Sequence, residues 1–414
     1  MSAGDRVAIT GLGVVSPVGN DIHSFWENLA AGVSGIRPIE RFESANFGCK
    51  VAGQVEGLSE SPFYKKKYIR IDPCSAMGLV AASQALAQAG IEMGSEKRAR
   101  YGVYSGTGIG GVTTHETACL KYAAKPDDPR ISPLAIVRVM NNACASEIAM
   151  HFGFAGESLT VSTACAAGLQ ALGEACRAIR DDRADLIVAG GSDAPLSRPL
   201  YSAWQSMRVM SSWEGDPAAA SRPFSGDRSG LVLAEGAAYV ILESEGHARS
   251  RGAEILGFVD GYASNTCHGH ITRPSMEHEV DVMGNALKSA GITPDDVDYI
   301  HAHGTGAEAN DVIETNAIKA VFGERAADVP ITSGKSMLGH TLGASGVFGL
   351  ISALLSLNKG IAIPTINLDN PDPKCDLNYV ANKAQPLSRS RTAIVNAFGF
   401  GGTNCTAVIS KAHM

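Results

Sequence analysis

The sequence lacks the features that mark membrane-spanning, secreted and nucleic-acid-binding proteins. Its 414 residues contain no run of about 18 consecutive apolar residues, so it predicts no transmembrane helix. The N-terminal stretch shows no basic segment followed by a longer apolar core, so we expect no secretion signal. The formal net charge is −7, without a basic excess. We therefore expect neither nucleic acid nor a membrane surface as a partner.

Cysteine usage excludes two further classes of protein. The nine cysteines are odd in number, scattered, and form no Cys-x-x-Cys pair. This pattern argues against a disulfide framework and against a structural zinc site, so we expect no metal and a cytoplasmic location. What the sequence does contain is 45% hydrophobic residues and 46 glycines. That composition is typical of a tightly packed α/β protein.

One stretch, Leu159–Ile179, combines a strand pattern with a helix pattern. A β-branched run is followed by apolar residues at spacings of three and four, and Cys165 lies at the change. A cysteine at a helix N-terminus has its thiolate favoured by the helix dipole, and a thiolate is a nucleophile. The small residues around it would leave room for a bulky substrate. The alternative is a buried core cysteine beside a crowded turn.

The stretch from Gly106 to Gly111 matches the G-x-G-x-x-G pattern of dinucleotide-binding turns. A Rossmann unit needs a second strand that ends in an acidic residue, and the residues that follow supply none. We therefore interpret this stretch as a close-packed loop whose backbone approaches a bulky group.

The second half of the sequence places further reactive groups beside glycines. His303 follows a short predicted strand, Lys335 and His340 share one glycine-rich segment, and a glycine-rich turn spans Phe398 to Asn404. We expect His301 to face the other way from His303. One histidine near glycine is usually structural, but a cysteine, two histidines and a lysine at such positions together indicate an active site.

Composition changes around Glu245–Gly252, so we predict two segments, 1–250 and 251–414. Each contains a strand, a turn of small residues and a long helix, at 159–179 and 331–357 respectively. The sequence identity between them is too low to identify a repeat.

Four motifs together resemble the β-ketoacyl-acyl-carrier-protein synthases of the elongating Cys-His-His type: TACAAG around Cys165, HGTG from His303, GKSMLGH ending at His340, and FGFGGTN from Phe398. The similarity extends along essentially the whole chain. It implies the thiolase fold, an α/β fold in five layers, α/β/α/β/α, made of two related halves.

The resemblance also implies a two-step reaction. Cys165 would accept an acyl chain from phosphopantetheine on acyl carrier protein, and malonyl carrier protein would then lose carbon dioxide and attack the acyl-cysteine. The product would be a 3-oxoacyl carrier protein in fatty-acid elongation, with no cofactor beyond the carrier arm. The implied residues are Cys165, His303, His340 and Lys335 for catalysis; the backbone of Cys165 and Phe400 for the oxyanion hole, with Phe400 as gate; Asp311 and Glu314 as supporting carboxylates; and Ile109, Thr305, Gly401 and Gly402 for substrate binding.

Three residues depart from the family pattern. Family members usually have threonine at Ala307 and Gly334, and at Gly349 a glutamate that pairs with the active-site lysine. Lys335 must then rely on Asp311 and Glu314. The departures support an alternative, a specialised ketosynthase of a type II polyketide or aryl-polyene pathway, paired with a chain-length subunit.

The implied partners are acyl carrier protein and a second subunit of the same fold, as a homodimer or as a heterodimer with a chain-length subunit. Carrier protein is acidic, so one basic cluster and one arginine are candidate docking charges or else a solvated surface: Lys65, Lys66, Lys67, Arg70 and Arg208. A catalytically silent chain-length subunit would typically lack the nucleophile. A thiolase would need a second cysteine in a Cys-x-Gly setting, which neither Cys375 nor Cys405 has.

Overall fold

The computed structural model of the chain describes residues 6–91 and 98–412. The outermost residues of the two predicted segments, 1–5 and 413–414, lie outside the described part. The strands are β1 Val7–Val15, β2 Ile36–Pro38, β3 Val51–Gly53, β4 Tyr101–Gly106, β5 Ser158–Val161, β6 Leu186–Asp193, β7 Gly236–Ser244, β8 Gly257–Thr266, β9 Tyr299–His301, β10 Ile331–Thr332, β11 Ile361–Ala362, β12 Gln385–Pro386, β13 Thr392–Phe398 and β14 Thr403–Lys411.

The helices are α1 Ile22–Ala31, α2 Pro73–Gln88, α3 Val112–Ala124, α4 Ala135–Val139, α5 Ala143–Phe152, α6 Ala167–Arg180, α7 Arg198–Ser206, α8 Glu245–Ser250, α9 Met276–Ala290, α10 Glu308–Phe322, α11 Lys335–Leu338 and α12 Ser345–Lys359. Short 3₁₀ turns at Ala164–Ala166 and Leu342–Ala344 lead into α6 and α12. Local signals explain several ends. Helix α1, for example, begins after Asp21, whose carboxylate accepts two backbone N–H groups, and ends at Gly32 in the left-handed conformation.

The main sheet has ten strands in the order β10-β9-β13-β14-β8-β1-β7-β6-β4-β5. In the first half β5, β4 and β6 are parallel, and β7 and β1 continue antiparallel. In the second half β10, β9 and β13 are parallel, and β14 and β8 continue antiparallel. The halves therefore repeat one topology, and the pairing of β1 with β8 joins them. This duplication confirms the two related halves.

The helices form three layers around the two halves of the sheet. Helices α2 and α5 cover one face of the first half, and α9 and α10 cover one face of the second. Helices α6 and α12 pack against each other in the middle, between the two half-sheets. The order α/β/α/β/α is the five-layered arrangement of the thiolase fold, so the predicted fold class is confirmed.

One stretch of the middle layer differs from the expectation that the chain has no apolar run of membrane-spanning length. Leu342–Lys359 is long and apolar enough to span a membrane by length and composition, although the sequence analysis recognised no such run. In the structure 89% of this stretch is buried inside the protein, where it forms the 3₁₀ turn Leu342–Ala344 and the core helix α12. The predicted boundary at residue 250 falls between α8 and β8. Two independent domains, 1–250 and 251–414, remain a prediction.

Candidate active site

Cys165 lies where the sequence predicted it, between strand β5 and helix α6. It is the middle residue of the 3₁₀ turn Ala164–Ala166 and is 4% exposed. Ala164 adopts a positive φ of 50°, a conformation that L-residues rarely take outside constrained turns. The matching turn of the second half has the same feature, since Leu342 has a φ of 45°. Both interior helices thus begin after a strained, sharp turn.

The ionisation of Cys165 differs from the expectation of a favoured thiolate. Burial raises the pKa of the Cys165 thiol to about 11, although the Lys335 charge and the Phe400 amide pull this pKa down. Desolvation disfavours a charged sulfur, and here it outweighs the helix terminus. Cys165 is therefore a thiol in the free protein at neutral pH. The amides of both Phe400 and Cys165 act on the sulfur, so two N–H donors converge beside the nucleophile.

His303 follows strand β9 and lies in a fully enclosed position. Burial, and next the Lys335 charge, lower the pKa of His303 well below its usual value, so the ring is neutral at pH 7. Lys335 Nζ lies 3.5 Å from His303 Nδ1 and has only hydrogens to donate. Nδ1 is therefore the acceptor nitrogen, and the proton of the ring is on Nε2.

His340 reaches the same tautomer through different neighbours. The Leu342 backbone N–H donates to His340 Nδ1 at 3.3 Å, and the Ser345 hydroxyl lies 2.8 Å from the same atom. Burial and the Lys335 charge lower the pKa of His340 as well. The two imidazole rings lie at 81° to each other with centroids 5.5 Å apart. The site therefore holds two neutral rings, each with an N–H on Nε2.

Lys335 is buried at the start of helix α11. Its ammonium donates to the carbonyl oxygen of His303 at 2.6 Å. Burial lowers the pKa of Lys335, while the negative charges of Glu314 and Asp311 act in the opposite direction. The ammonium thus fixes the backbone from which the His303 ring projects.

The two supporting carboxylates, on which we expected Lys335 to rely, act on it without a direct ion pair among the described residues. Glu314 accepts the backbone N–H groups of His303 and Gly304 at 2.7 and 2.8 Å. Asp311 accepts backbone N–H groups on the same loop and lies 3.7 Å from Arg228. Both are buried, and both hold the histidine loop through its backbone. Their effect on Lys335 is a field effect, without an ion pair among the described residues.

The expectation that His301 faces away from the site is wrong. Residues two apart on a strand share a face, and His301 and His303 are two apart. After burial, the charge of Lys335 is the next cause of the lowered pKa of His301. His301 in turn contributes to lowering the pKa of His303. His301 Nε2 accepts the backbone N–H of Gly334 at 3.4 Å. The ring is therefore part of the surroundings of Lys335.

The glycine-rich turn after strand β13 carries Phe400, the predicted gate. The Phe400 ring is half-buried and stacks on Trp204, with centroids 5.6 Å apart. Gly401 and Gly402 both have a φ of 84°, and a Cβ at Gly402 would lie 2.2 Å from the Cys267 carbonyl oxygen. Glycine is required at this bend, where the turn also meets the Cys267 segment. Trp204 was missed, since nothing in its helix pattern distinguishes it from a surface tryptophan.

Asp193 is a second residue that the sequence analysis missed. It ends strand β6, is completely buried, and accepts hydrogen bonds from Thr107, Gly108 and Gly343 at 2.7, 2.7 and 2.6 Å. Burial raises the pKa of Asp193 to about 6. This carboxylate fastens the Gly106–Gly111 loop to the turn before α12 in the other half. An acid at the end of a buried strand was the available signal.

A cavity of about 310 Å³ collects most of the predicted residues. Cys165, His303 and His340 line it, and so do Thr305 and the departing residue Ala307. Phe400 and Gly402 are also on its wall. Three of the predicted catalytic and substrate-binding residues do not line this cavity: Ile109, Gly401 and Lys335. Ile109 packs instead against the apolar cluster that contains Cys165. The interpretation of Gly106–Gly111 as a close-packed loop agrees with this placement.

Comparison with known proteins gives consistent matches along the chain. Residues 4–248 match the family profile "Beta-ketoacyl synthase, N-terminal domain", and residues 256–369 match "Beta-ketoacyl synthase, C-terminal domain". A 3-oxoacyl-[acyl-carrier-protein] synthase 2 from Coxiella burnetii (strain RSA 493 / Nine Mile phase I) is 39% identical over 412 residues, which cover 98% of each chain.

Two solved structures are similar throughout. One is a type II PKS acyl-carrier protein in complex with its ketosynthase bound to the hexaketide (AntDE:AntF). It aligns with a TM-score of 0.91 and 35% identity over 99% of this chain and 100% of that chain. The other is the ishigamide ketosynthase/chain length factor, with a TM-score of 0.92 and 30% identity over 99% and 100% of the two chains.

Proposed function

Since the chain belongs to the β-ketoacyl synthase family and is an acyl-transferring condensing enzyme, we propose that Cys165, His303 and His340 carry out the condensation of fatty-acid elongation. The reaction joins an acyl thioester to malonyl-acyl-carrier protein and yields 3-oxoacyl-acyl-carrier protein, carbon dioxide and free carrier protein. The observation that carries the assignment is the cavity that brings the Cys165 thiol together with the neutral imidazoles of His303 and His340.

The first step is acyl transfer to Cys165. The sulfur attacks the carbonyl carbon of the thioester, a carbon–sulfur bond to the carrier arm breaks, and the thiol proton leaves with the carrier thiolate. The Cys165 and Phe400 amides, which both act on the sulfur, are placed to donate to the oxygen of the tetrahedral intermediate. Because burial keeps the pKa of the Cys165 thiol high, the proton leaves the sulfur only during acyl transfer and ends on the departing carrier thiol.

The second step is decarboxylation of the malonyl group and attack on acyl-Cys165. Loss of carbon dioxide leaves an electron pair that delocalises onto the malonyl thioester oxygen as an enolate. Two Nε2–H donors, from His303 and His340, can both address that oxygen without a metal. The enolate carbon then forms the new carbon–carbon bond, and the Cys165 thiolate leaves and is reprotonated.

Three further residues have positioning roles in this proposal. Lys335 holds the His303 carbonyl, and its charge adds to burial, the larger cause, in keeping the pKa of both imidazoles low. Asp311 and Glu314 hold the histidine loop by its backbone amides. The remaining residues are assigned to substrate binding. We place Ile109 in the acyl pocket, Thr305 and Gly402 along the carrier arm, and Gly401 in the turn that carries the gate residue Phe400.

We assign the carrier arm to the 310 Å³ cavity, which also includes Arg208 at its wall. Ala307 lines this cavity without a hydroxyl, so the arm meets an apolar surface there. The basic cluster Lys65, Lys66, Lys67 and Arg70 forms an exposed 3₁₀ turn in which only Tyr68 is buried. These charges suit an acidic carrier protein, and salt should weaken their effect. No cofactor beyond phosphopantetheine is needed.

We further propose that the enzyme acts in the cytoplasm as a homodimer. Helices α3 and α4 and their connection expose a group of large apolar side chains: Leu120, Tyr122, Ile131, Leu134, Ile136, Val137 and Met140. Such a group is unusual on a monomer surface and is typical of an interface. Asn141, next to it, donates to Ser162 close to Cys165, so this surface adjoins the site. A second copy is the occupant that an isologous dimer requires.

A second candidate function is condensation in a type II polyketide or aryl-polyene pathway. The 35% identical ketosynthase bound to a hexaketide favours it, as does the structure described with a chain length factor. In that case the exposed apolar group would contact a chain-length subunit. The substrates of the two pathways differ in chain length and in the number of keto groups.

The test is intact-mass spectrometry of the purified chain with acyl carrier protein substrates of graded length, followed by malonyl carrier protein. We expect an acyl adduct on the wild type and on Cys267→Ala, a control that removes another thiol of the cavity, and none on Cys165→Ala. Malonyl carrier protein should discharge the adduct into a product two carbons longer. No adduct on the folded wild type would refute a self-sufficient enzyme, and adducts only with polyketide chains would favour the second function.

A further inference from the structure

His301 is a buried histidine that the proposed reaction does not use. It ends strand β9 and is 4% exposed. Its ring lies between two glycines, one at the start of helix α11 and one within helix α12. A Cβ on Gly334 would come within 3.3 Å of Nε2, and a Cβ on Gly349 would come within 2.8 Å of Nδ1 and 3.1 Å of Cε1. The absence of side chains at both positions makes the space that the ring fills.

The hydrogen bond of His301 fixes a particular backbone group. Its Nε2 accepts the Gly334 N–H at 3.4 Å, so Nε2 is unprotonated and the ring proton is on Nδ1. Gly334 is the N-cap of α11, and its own carbonyl accepts the N–H groups of Met337 and Leu338 at 3.0 Å each. Both polar groups of the Gly334 residue are thereby held, one by His301 and one by the helix.

The residue after Gly334 is Lys335. Helix α11 has four residues, so the orientation of its first residue depends on how its N-cap is held. From this position Lys335 Nζ donates to the His303 carbonyl oxygen at 2.6 Å and lies 3.5 Å from the His303 ring. Displacement of the Gly334 amide would therefore move the ammonium relative to the imidazole whose tautomer it sets.

The charge state of His301 supports the same role. Burial, and next the Lys335 charge, lower the pKa of His301 to about 3. The ring is neutral at every pH at which the enzyme would work, so it can accept from Gly334 without placing a second cation beside Lys335. A residue with a permanent positive charge at this position would oppose the ammonium, and an aliphatic residue would leave the buried Gly334 amide without an acceptor.

We propose that His301 is a positioning residue of the condensation step: its neutral ring fixes the Gly334 amide and thereby sets Lys335 against His303. The inference rests on the proposed function. It assigns His301 to the step that uses the histidines and not to acylation of Cys165. Neither Asp311 nor Glu314 substitutes for it, because both carboxylates hold other backbone groups.

The test separates the two half-reactions in three variants. His301→Phe keeps the volume of the ring and removes the acceptor. His301→Gln restores an acceptor at about the reach of Nε2. We expect malonyl decarboxylation by His301→Phe to slow about tenfold or more, the loss typical of a buried amide left without its partner, while transfer of the acyl group to Cys165 changes little. His301→Gln should recover most of the decarboxylation rate. Tyr299→Phe, on the same buried strand, is the matched control and should behave as wild type.

A double-mutant cycle tests the packing of the ring. Gly349→Ala alone should drive a methyl group into His301 and slow decarboxylation, whereas in a His301→Ala background the added methyl has space and should cost little. Equal losses of both half-reactions in His301→Phe, or additive effects in the cycle, would overturn the inference. If the wild type itself fails to decarboxylate malonyl carrier protein, the proposed function fails instead.

Discussion

The ionisation of Cys165 leads to a prediction about its reactivity in the free protein. Alkylation of this thiol by iodoacetamide should accelerate about tenfold per pH unit from pH 7 to pH 10, because only the thiolate reacts. The sign follows from the pKa, which burial raises to about 11, so a higher pH removes the proton from a larger fraction of the protein.

The magnitude follows from the size of that rise. The ordinary pKa of a cysteine thiol is 9.0, and the pKa of Cys165 is about 11. Two pH units correspond to a thiolate roughly 100-fold rarer at neutral pH, or about 3 kcal/mol against ionisation. The Lys335 charge already lowers this pKa, so Lys335→Met should raise it further and slow alkylation at every pH below 10.

The assay is time-resolved mass spectrometry with peptide mapping, which reports each cysteine separately. Cys119 is the exposed cysteine and should be alkylated first, and its peptide provides the reference within the same sample. Cys165→Ala identifies the peptide of interest. A rate for Cys165 that is flat between pH 7 and pH 9 would refute the reasoning. It would mean that the helix terminus and Lys335 together outweigh the desolvation of the sulfur.

Three other predictions concern groups of the site. Asp193→Ala leaves four donors of Thr107, Gly108, Ile109 and Gly343 without their acceptor, so the free energy of unfolding in urea should fall by at least about 2 kcal/mol; an unchanged urea midpoint would contradict this. His303→Ala and His340→Ala should each slow malonyl decarboxylation about 100-fold or more, measured as carbon dioxide release, and should largely spare acylation of Cys165; an equal loss of acylation would contradict separate roles. Trp204→Ala removes the stacking partner of Phe400, worth about 0.5–1.5 kcal/mol, and should raise the acylation rate in stopped-flow mixing by freeing the gate. An unchanged rate would show that the stack does not restrain Phe400.

Much of the fold could be predicted because local patterns coincide with single elements. The nine-residue run Val7–Val15, for example, predicts a buried strand, and strand β1 has these same ends, since both of its faces are buried. The change from a strand to a helix pattern around Cys165 was equally local. The pattern of Glu254–Tyr262 also predicts a strand, but this prediction is less accurate, because β8 runs from Gly257 to Thr266. Its polar second part pairs with β14, a contact that no local pattern reports.

The errors at the site have a common physical origin. Asp193 acquires its function from the Thr107 loop and from Gly343, which are distant in the sequence. The high pKa of Cys165 comes from burial, which depends on the whole fold. The error about the direction of His301 has another origin. The two-residue period of a strand already predicts that His301 faces the same side as His303.

The position of helices α6 and α12 in the middle layer has a consequence for biosynthesis. Helix α6 buries most of its residues, and part of that burial is against α12, which is made much later. At roughly 5–20 residues per second, α6 waits on the order of ten seconds on the ribosome before its partner emerges. During that interval the nascent chain lacks the helix that covers this apolar surface of α6 in the folded protein. Folding of the nucleophile's own helix is therefore completed only after translation has passed residue 359.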